Sequence, residues 1–157
     1  TMSFWIDSKL ETLKKLIAQV DLMVLNDGEA MQLTGQKNLV AAAREVLHHG
    51  PKVVAIKKGA HGALLASSTD FALVPAFPLD SVIDPTGAGD SFGGGLMAAM
   101  ARQDADIDDF DALRKAVAYG SVVASFNCES FSMERMKTLR VDEVEERLAL
   151  LRGFSSF

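Results

Sequence analysis

DPTGAGDSFGGGLM, residues 84–97, is the stretch whose reading decides the rest of the chain. Val82 and Ile83 form an extended lead-in that breaks at Pro85, because a proline disfavours helix at the residue before it. Gly87-Ala88-Gly89 then gives a small-residue turn with access to backbone conformations closed to larger residues. From Ala88 a helix is expected to about residue 102, its apolar face carrying Phe92, Leu96, Met97 and Met100. The first amides of a helix have no partner within it and sit at the positive end of its dipole, so a helix start stripped of side chains is an anion site. Asp90 falls in the first turn of that helix. A phosphate cradle with a carboxylate beside it suits phosphoryl transfer, the carboxylate taking the proton of an attacking hydroxyl. The plainer reading is that Asp90 complements the helix dipole and the glycines only permit close packing; a short GxG motif alone would favour it.

The string is longer than such a motif. DPTGAGDSFGGGL resembles, almost position by position, the DTxGAGD-type signature of the ribokinase-like (PfkB) carbohydrate kinases, with proline at 85 as a common variant. The resemblance implies that Asp90 is the catalytic base for a substrate hydroxyl. It implies too that the amides of Gly87, Ala88 and Gly89 form the anion hole. Many members bind a monovalent cation such as K+ through the first Asp and the Thr of the signature, here Asp84 and Thr86.

Composition sets the frame around this motif. The chain has 157 residues, 48% apolar and 24% charged, enough for one soluble domain with its own core. A net charge of −5 gives a nucleic-acid partner no electrostatic support. No apolar run reaches the roughly 18 residues of a membrane span. The start, TMSFWIDSK, carries no signal-peptide pattern. The single cysteine, Cys128, excludes a disulfide framework and fits a reducing cytoplasm, where it reads as a small packing residue. A cytoplasmic location is expected.

In chain order, Thr1 to Ile6 reads as the tail of a strand, and residues 8–20 as an amphipathic helix with Leu10, Leu13, Leu16, Ile17 and Val20 on one face. Leu22 to Leu25 is a buried strand. Asn26 and Asp27 are both candidate N-caps for a helix through about Leu33, closed by Gly35. Residues 38–49 form a second helix; His48 and His49, adjacent in its last turn, point apart and have no partners for a metal. Lys52 to Ile56 is a strand. Residues 63–67 and 70–77 read as a hairpin joined at Ser68-Thr69. The alternation of strands and helices predicts a mostly parallel sheet with the hairpin as an antiparallel edge addition. Acidic residues from 104 to 111 cap and start a helix over about 110–126, with the stripe Leu113, Val117, Val122, Phe126. Asp142 to Leu151 forms a last helix. There is no repeat or linker, and one α/β unit over 1–157 is expected.

Two further motifs carry chemistry. Asn26-Asp27-Gly28-Glu29 reads locally as a helix cap with a first-turn Glu. It also resembles the family's N-x-x-E motif, which implies that Asn26 serves the nucleotide and that Glu29 acts near Mg2+, often through water. Lys57-Lys58-Gly59-Ala60-His61-Gly62 follows a strand and lacks the spacing and the Lys-Ser/Thr ending of a Walker A loop. It reads as an exposed hairpin turn, yet resembles the family segment that lies along the ATP phosphates, with Lys57, Gly59 and Gly62 at the matching positions. Lys58 and His61 are left as surface residues. Adenine contacts are placed by the resemblance partly on the helix containing Ala118, Gly120, Ser121 and Ala124. Those small residues serve close helix packing equally well.

TMSFW matches a run that lies near the middle of family members, so the resemblance spans all of this chain but only the C-terminal half of the usual length. The implied fold is the ribokinase-like three-layer α/β/α type, truncated, without the sugar-binding N-terminal half and its lid. The implied activity is ATP-dependent phosphorylation of a sugar or related small alcohol, with ATP and Mg2+ as partners. A nucleoside kinase of adenosine type is the close alternative, and a non-catalytic nucleotide-binding or dimerising fragment the distant one. A homodimer is left open.

Overall fold

The computed structural model describes residues 3–155. They fall into two compact units where the sequence suggests one. The first unit holds the residues up to Gly59 together with Ala63–Leu73; the second holds Ala60–Gly62 and the residues from Val74 on.

The first unit opens with helix α1 (Ser3–Ile17), whose turns are interrupted at Lys9 by a non-helical backbone (φ −142°, ψ 35°). Ser3 to Ile6 is therefore helical, which corrects the strand expected there; Thr1 and Met2 lie outside the described residues. The reason is visible in the spacing. Ile6 and Ile17 are buried and Leu10 and Leu13 pack against the same core, one stripe at helical intervals, whereas Phe4 and Trp5 are exposed.

Strand β1 (Leu22–Asn26) leads into helix α2 (Asp27–Thr34), then helix α3 (Leu39–His48), then strand β2 (Val53–Lys57). β1 and β2 are parallel, with Leu22 opposite Val53 and Asn26 opposite Lys57. This is a βαβ crossover with two helices in the connection. Asn38 caps α3, its side chain accepting from the amides of Val40 and Ala41. Strand β3 (Ala63–Ala66) pairs antiparallel with β2, and strand β4 (Phe71–Val74) completes the order β1-β2-β3-β4. The hairpin is an edge addition, as expected, but the sheet is mixed, with a single parallel pair among the described strands. β2 is buried along Val53–Ile56, and Leu25, Ala30, Val46, Val54, Ile56 and Leu64 form the centre of the core.

The second unit is helical. Helix α4 (Ala88–Gln103) packs against helix α5 (Phe110–Asn127), and helix α6 (Val141–Ser155) packs on α5. Between α4 and α5 the backbones nearly touch. A Cβ on Gly120 would stand 2.6 Å from the Phe92 carbonyl oxygen, and one on Gly95 3.0 Å from the Gly120 Cα. The buried face of α4 is accordingly Phe92, Gly95, Leu96 and Ala99. Met97, expected on that face, is 56% exposed, because the crossing is centred on Gly95, two residues away and on nearly the opposite side of the helix. Asp109 caps α5 through the Ala112 amide at 2.9 Å, and the predicted stripe Leu113, Val117, Val122, Phe126 is buried throughout. Val82 and Ile83 are exposed and belong to no strand, so the lead-in to the glycine turn is irregular chain.

Candidate functional site

In the first unit the candidate residues gather where β1 and β2 end. The strands are parallel, so Asn26 and Lys57 stand side by side at their C-terminal ends, the edge of an α/β sheet at which ligands commonly bind. Asn26 is the N-cap of α2, its Oδ1 accepting from the Glu29 amide at 2.8 Å. Glu29 replies through Oε2, which accepts from the Asn26 amide at 2.9 Å. This is a complete capping box, with Glu29 only 6% exposed. Each side chain thus has one atom committed to the helix start, leaving Asn26 Nδ2 and Glu29 Oε1 as the side-chain atoms outside the box. Lys57 is half-buried at the end of β2, and Gly59 follows with φ +55° and is exposed.

The second unit contains the glycine turn. Asp84 Oδ1 accepts from the Thr86 amide and Oδ2 from the Ser132 amide, both at 2.9 Å. The Thr86 hydroxyl, then the Thr86 and Ser132 amides, hold the Asp84 carboxyl below the usual carboxylate range. Gly87 is the N-cap of α4 with φ +84° and offers no capping side chain. The Ala88 amide is taken by the Pro85 carbonyl at 3.1 Å, and the first helical bond runs from the Ser91 amide to the Gly87 carbonyl at 2.8 Å. Among the described residues, the amides of Gly87, Gly89 and Asp90 therefore have no backbone partner at this end. Of the expected trio, Gly87 and Gly89 keep amides without a backbone partner, while the Ala88 amide closes the turn, and the Asp90 amide is open as well. Asp90 itself is exposed.

Sequence reasoning passed over Asn127, the last residue of α5. It is fully buried, its Nδ2 donating to the Thr86 carbonyl at 2.7 Å and its Oδ1 accepting from the Ser91 hydroxyl at 3.1 Å. A lone asparagine ending an apolar helix is a readable signal, since a buried amide needs partners.

The remaining candidates have other tasks in the structure. Gly62 (φ +80°) lies where a Cβ would collide with the Val74 carbonyl oxygen. Ser121 is buried and donates its hydroxyl to the Pro75 carbonyl at 3.3 Å. Ala118 is half-buried on α5. Burial, then the charges of Asp84 and Glu129, push the Cys128 thiol up, which keeps it protonated and fits a packing role. No helix among the described residues is long and apolar enough to cross a membrane.

A mixed α/β sheet with polar groups at its parallel strand ends, followed in the chain by a glycine-capped helix start bearing an acidic residue, places the protein in the α/β class. The model of the pfkB family of carbohydrate kinases matches residues 2–137, and the chain belongs to that family. A cytidine kinase of Thermococcus kodakarensis is 34% identical over 94 residues, covering 59% of this chain and 34% of that protein. An aminoimidazole riboside kinase from Salmonella enterica, solved with aminoimidazole riboside and an ATP analog, superposes with a TM-score of 0.79 at 26% identity. It covers 90% of this chain and 46% of that one. A fructokinase from Vibrio cholerae O395 has the same fold, with a TM-score of 0.82 at 20% identity, over 92% of this chain and 46% of that one. The fold is thus ribokinase-like, and the chain spans less than half the length of each of these proteins.

Proposed function

We propose that this chain supplies the ATP side and the catalytic base of a phosphotransferase that acts on the hydroxyl of a sugar or related small alcohol. The observation that carries the reading is the open start of α4: a left-handed glycine cap, amides without backbone partners and an exposed carboxylate, inside the segment matched by the family. Asp90 takes the proton of the substrate hydroxyl as the hydroxyl oxygen attacks the terminal phosphorus of ATP and the bond from that phosphorus to its bridging oxygen breaks, releasing ADP. The Gly87, Gly89 and Asp90 amides hold the oxygens on which charge grows, fixed in place before the reaction begins. Ala88, bonded to Pro85, keeps the turn in shape.

In the first unit Lys57 is assigned to the distal phosphates, with Asn26, through Nδ2, and Gly59 beside it. Mg2+ fits this donor set. Among the described residues no three Asp, Glu, His or Cys side chains gather as a metal group, and Mg2+ in nucleotide sites usually takes one or two carboxylates, the rest being phosphates and water. Glu29 Oε1 is the carboxylate oxygen assigned to it, through water. When bound, the ion would neutralise phosphate charge. Asp84, kept ionised by its donors, and Thr86 are assigned to a monovalent cation such as K+. Ala118 is assigned to the base of the nucleotide. Ser121 and Gly62, engaged in packing, are assigned only to the shape of that region.

A second reading, a nucleoside kinase, is favoured by the names of two relatives, one a cytidine kinase and one solved with a riboside. Calorimetric titration of this chain with Mg·ATP is the first test. Saturable binding is expected, weakened by Lys57→Ala more for ATP than for AMP. No binding would overturn the proposal. Binding without transfer to any sugar or nucleoside would leave a nucleotide-binding module in its place.

A further inference from the structure

Four bonds join the glycine turn to the end of α5 and the segment after it. The Ile83 amide donates to the Cys128 carbonyl at 2.9 Å, and the Ser132 amide to Asp84 at 2.9 Å. The other two meet on one side chain, Asn127, which holds the Thr86 carbonyl before the helix start and the Ser91 hydroxyl inside its first turn. Asn127 therefore spans the open end of α4 from behind. A Cβ on Gly87 would stand 3.4 Å from its Oδ1 and 3.7 Å from its Nδ2, so the amide is packed directly against the left-handed cap. The chemistry is directional. A carbonyl can only accept, so Nδ2 must face Thr86, and the Ser91 hydroxyl then donates to Oδ1. No aliphatic residue could do this, and a carboxylate could serve Ser91 but not Thr86.

We propose that Asn127 is the positioning residue of the phosphoryl site. By fixing Thr86 and Ser91 together it sets the Gly87 turn, and with it the direction of the Gly89 and Asp90 amides and of the Asp90 carboxylate. The inference rests on the phosphotransferase reading given above. It predicts that loosening Asn127 harms phosphate binding and proton abstraction while leaving the helix pair folded. The stem of Asn127 sits at the last turn of α5, past the Gly95–Gly120 crossing that holds the two helices together.

The test uses this chain labelled with 15N, ATP as the probe, and two variants. Asn127→Leu keeps the approximate volume and removes both bonds, and Asn127→Asp keeps one acceptor and loses the donor. If the more disruptive Asp variant fails to fold, the Leu variant carries the measurement. In the wild type, ATP is expected to shift the Gly87, Gly89 and Asp90 amide resonances saturably. Either variant is expected to weaken that titration at least tenfold, while the α2 amides and the Leu113 and Val117 amides of α5 keep their positions. Amide exchange should rise at least tenfold at the Ser91 amide, with α5 unchanged. Where phosphotransfer is assayed, kcat should fall far more than KM for ATP rises. In the Asp variant part of the loss should return as the pH is lowered and the new carboxyl gains a proton to donate. Binding within threefold of wild type, with unchanged exchange at Ser91, would overturn the proposal. A wild type that shows no ATP shifts at all would count against the phosphotransferase reading instead. The exchange data would still decide whether Asn127 fixes the turn.

Discussion

Two helices begin at candidate residues, and they begin in opposite ways. At the start of α2, Asn26 and Glu29 close the end upon itself, each side chain accepting from the other's backbone. At the start of α4, Gly87 supplies no side chain, and the acidic residue of the first turn points away from the backbone into solvent. Both ends have the same unpaired amides and the same dipole. In α2 the protein satisfies them from its own atoms and gains stability. In α4 it leaves them for a ligand and forgoes the side-chain cap, at a cost of only a few tenths of a kcal/mol because the N-cap is glycine. An acidic residue in the first turn is thus no guide by itself to function. Whether its own helix uses it is.

Removing Asp90 is the sharpest way to test that contrast. If the proposed role of Asp90 holds, Asp90→Ala should lower phosphotransfer kcat by about 10²–10⁴ with ATP affinity nearly intact, because general-base contributions have that size. Steady-state kinetics beside a calorimetric titration checks this, and near-normal turnover would put Asp90 in the same class as Glu29. Next in size is Gly87→Ala. The left-handed backbone should cost about 1–2 kcal/mol in urea unfolding, and Mg·ATP affinity should drop more than tenfold as the turn is re-aimed. An unfolding midpoint equal to wild type would show that the cap does not need glycine.

The closed end gives the converse. Asn26→Ala should cost about 1 kcal/mol of stability, measured by urea unfolding, as N-cap deletions do. Its effect on Mg·ATP affinity should be smaller than that of Gly87→Ala. If the order is reversed, the α2 end is the ligand site and the comparison inverts.

The smallest effect concerns Asp84. Its carboxyl is held low by Thr86 and Ser132, so its folded value lies below its unfolded one. Such a group contributes stability that is fully present above the unfolded value of about 3.9 and is lost as pH falls through the folded value. Asp84→Asn should therefore lower stability slightly at neutral pH and flatten the acid limb of a thermal-stability profile below about pH 4, where variant and wild type converge. An unchanged acid limb would remove Asp84 from the account.

Much of this was legible because short-range chemistry announces itself. Asn-x-x-Glu before a helix spells a capping box, Gly35 and the Gly50-Pro51 pair mark helix ends, and the glycine turn declares α4. The helical start of the chain was less legible. SFWI looks like strand when read alone, and its helical character appears only once Ile6 is set in register with Leu10, Leu13 and Ile17. The sheet was half legible: the antiparallel hairpin was expected, but the small share of parallel pairing was not, although the link from Lys57 to Ala63 is too short for a parallel crossover. Asn127 depends on contacts 41 and 36 residues away in the chain, and only its isolation in an apolar stripe hinted at them.

The Gly95–Gly120 crossing bears on how the second unit can move. At Gly95 and Gly120 backbone meets backbone with the Val123 and Leu96 side chains packed directly alongside, so α4 can neither roll nor slide on α5 without breaking that fit. The sixteen residues of α4, about 24 Å of helix, are thus coupled to α5 as one stiff beam. Any opening or closing around the glycine turn has to carry both helices together, or else be confined to the few residues ahead of Gly87.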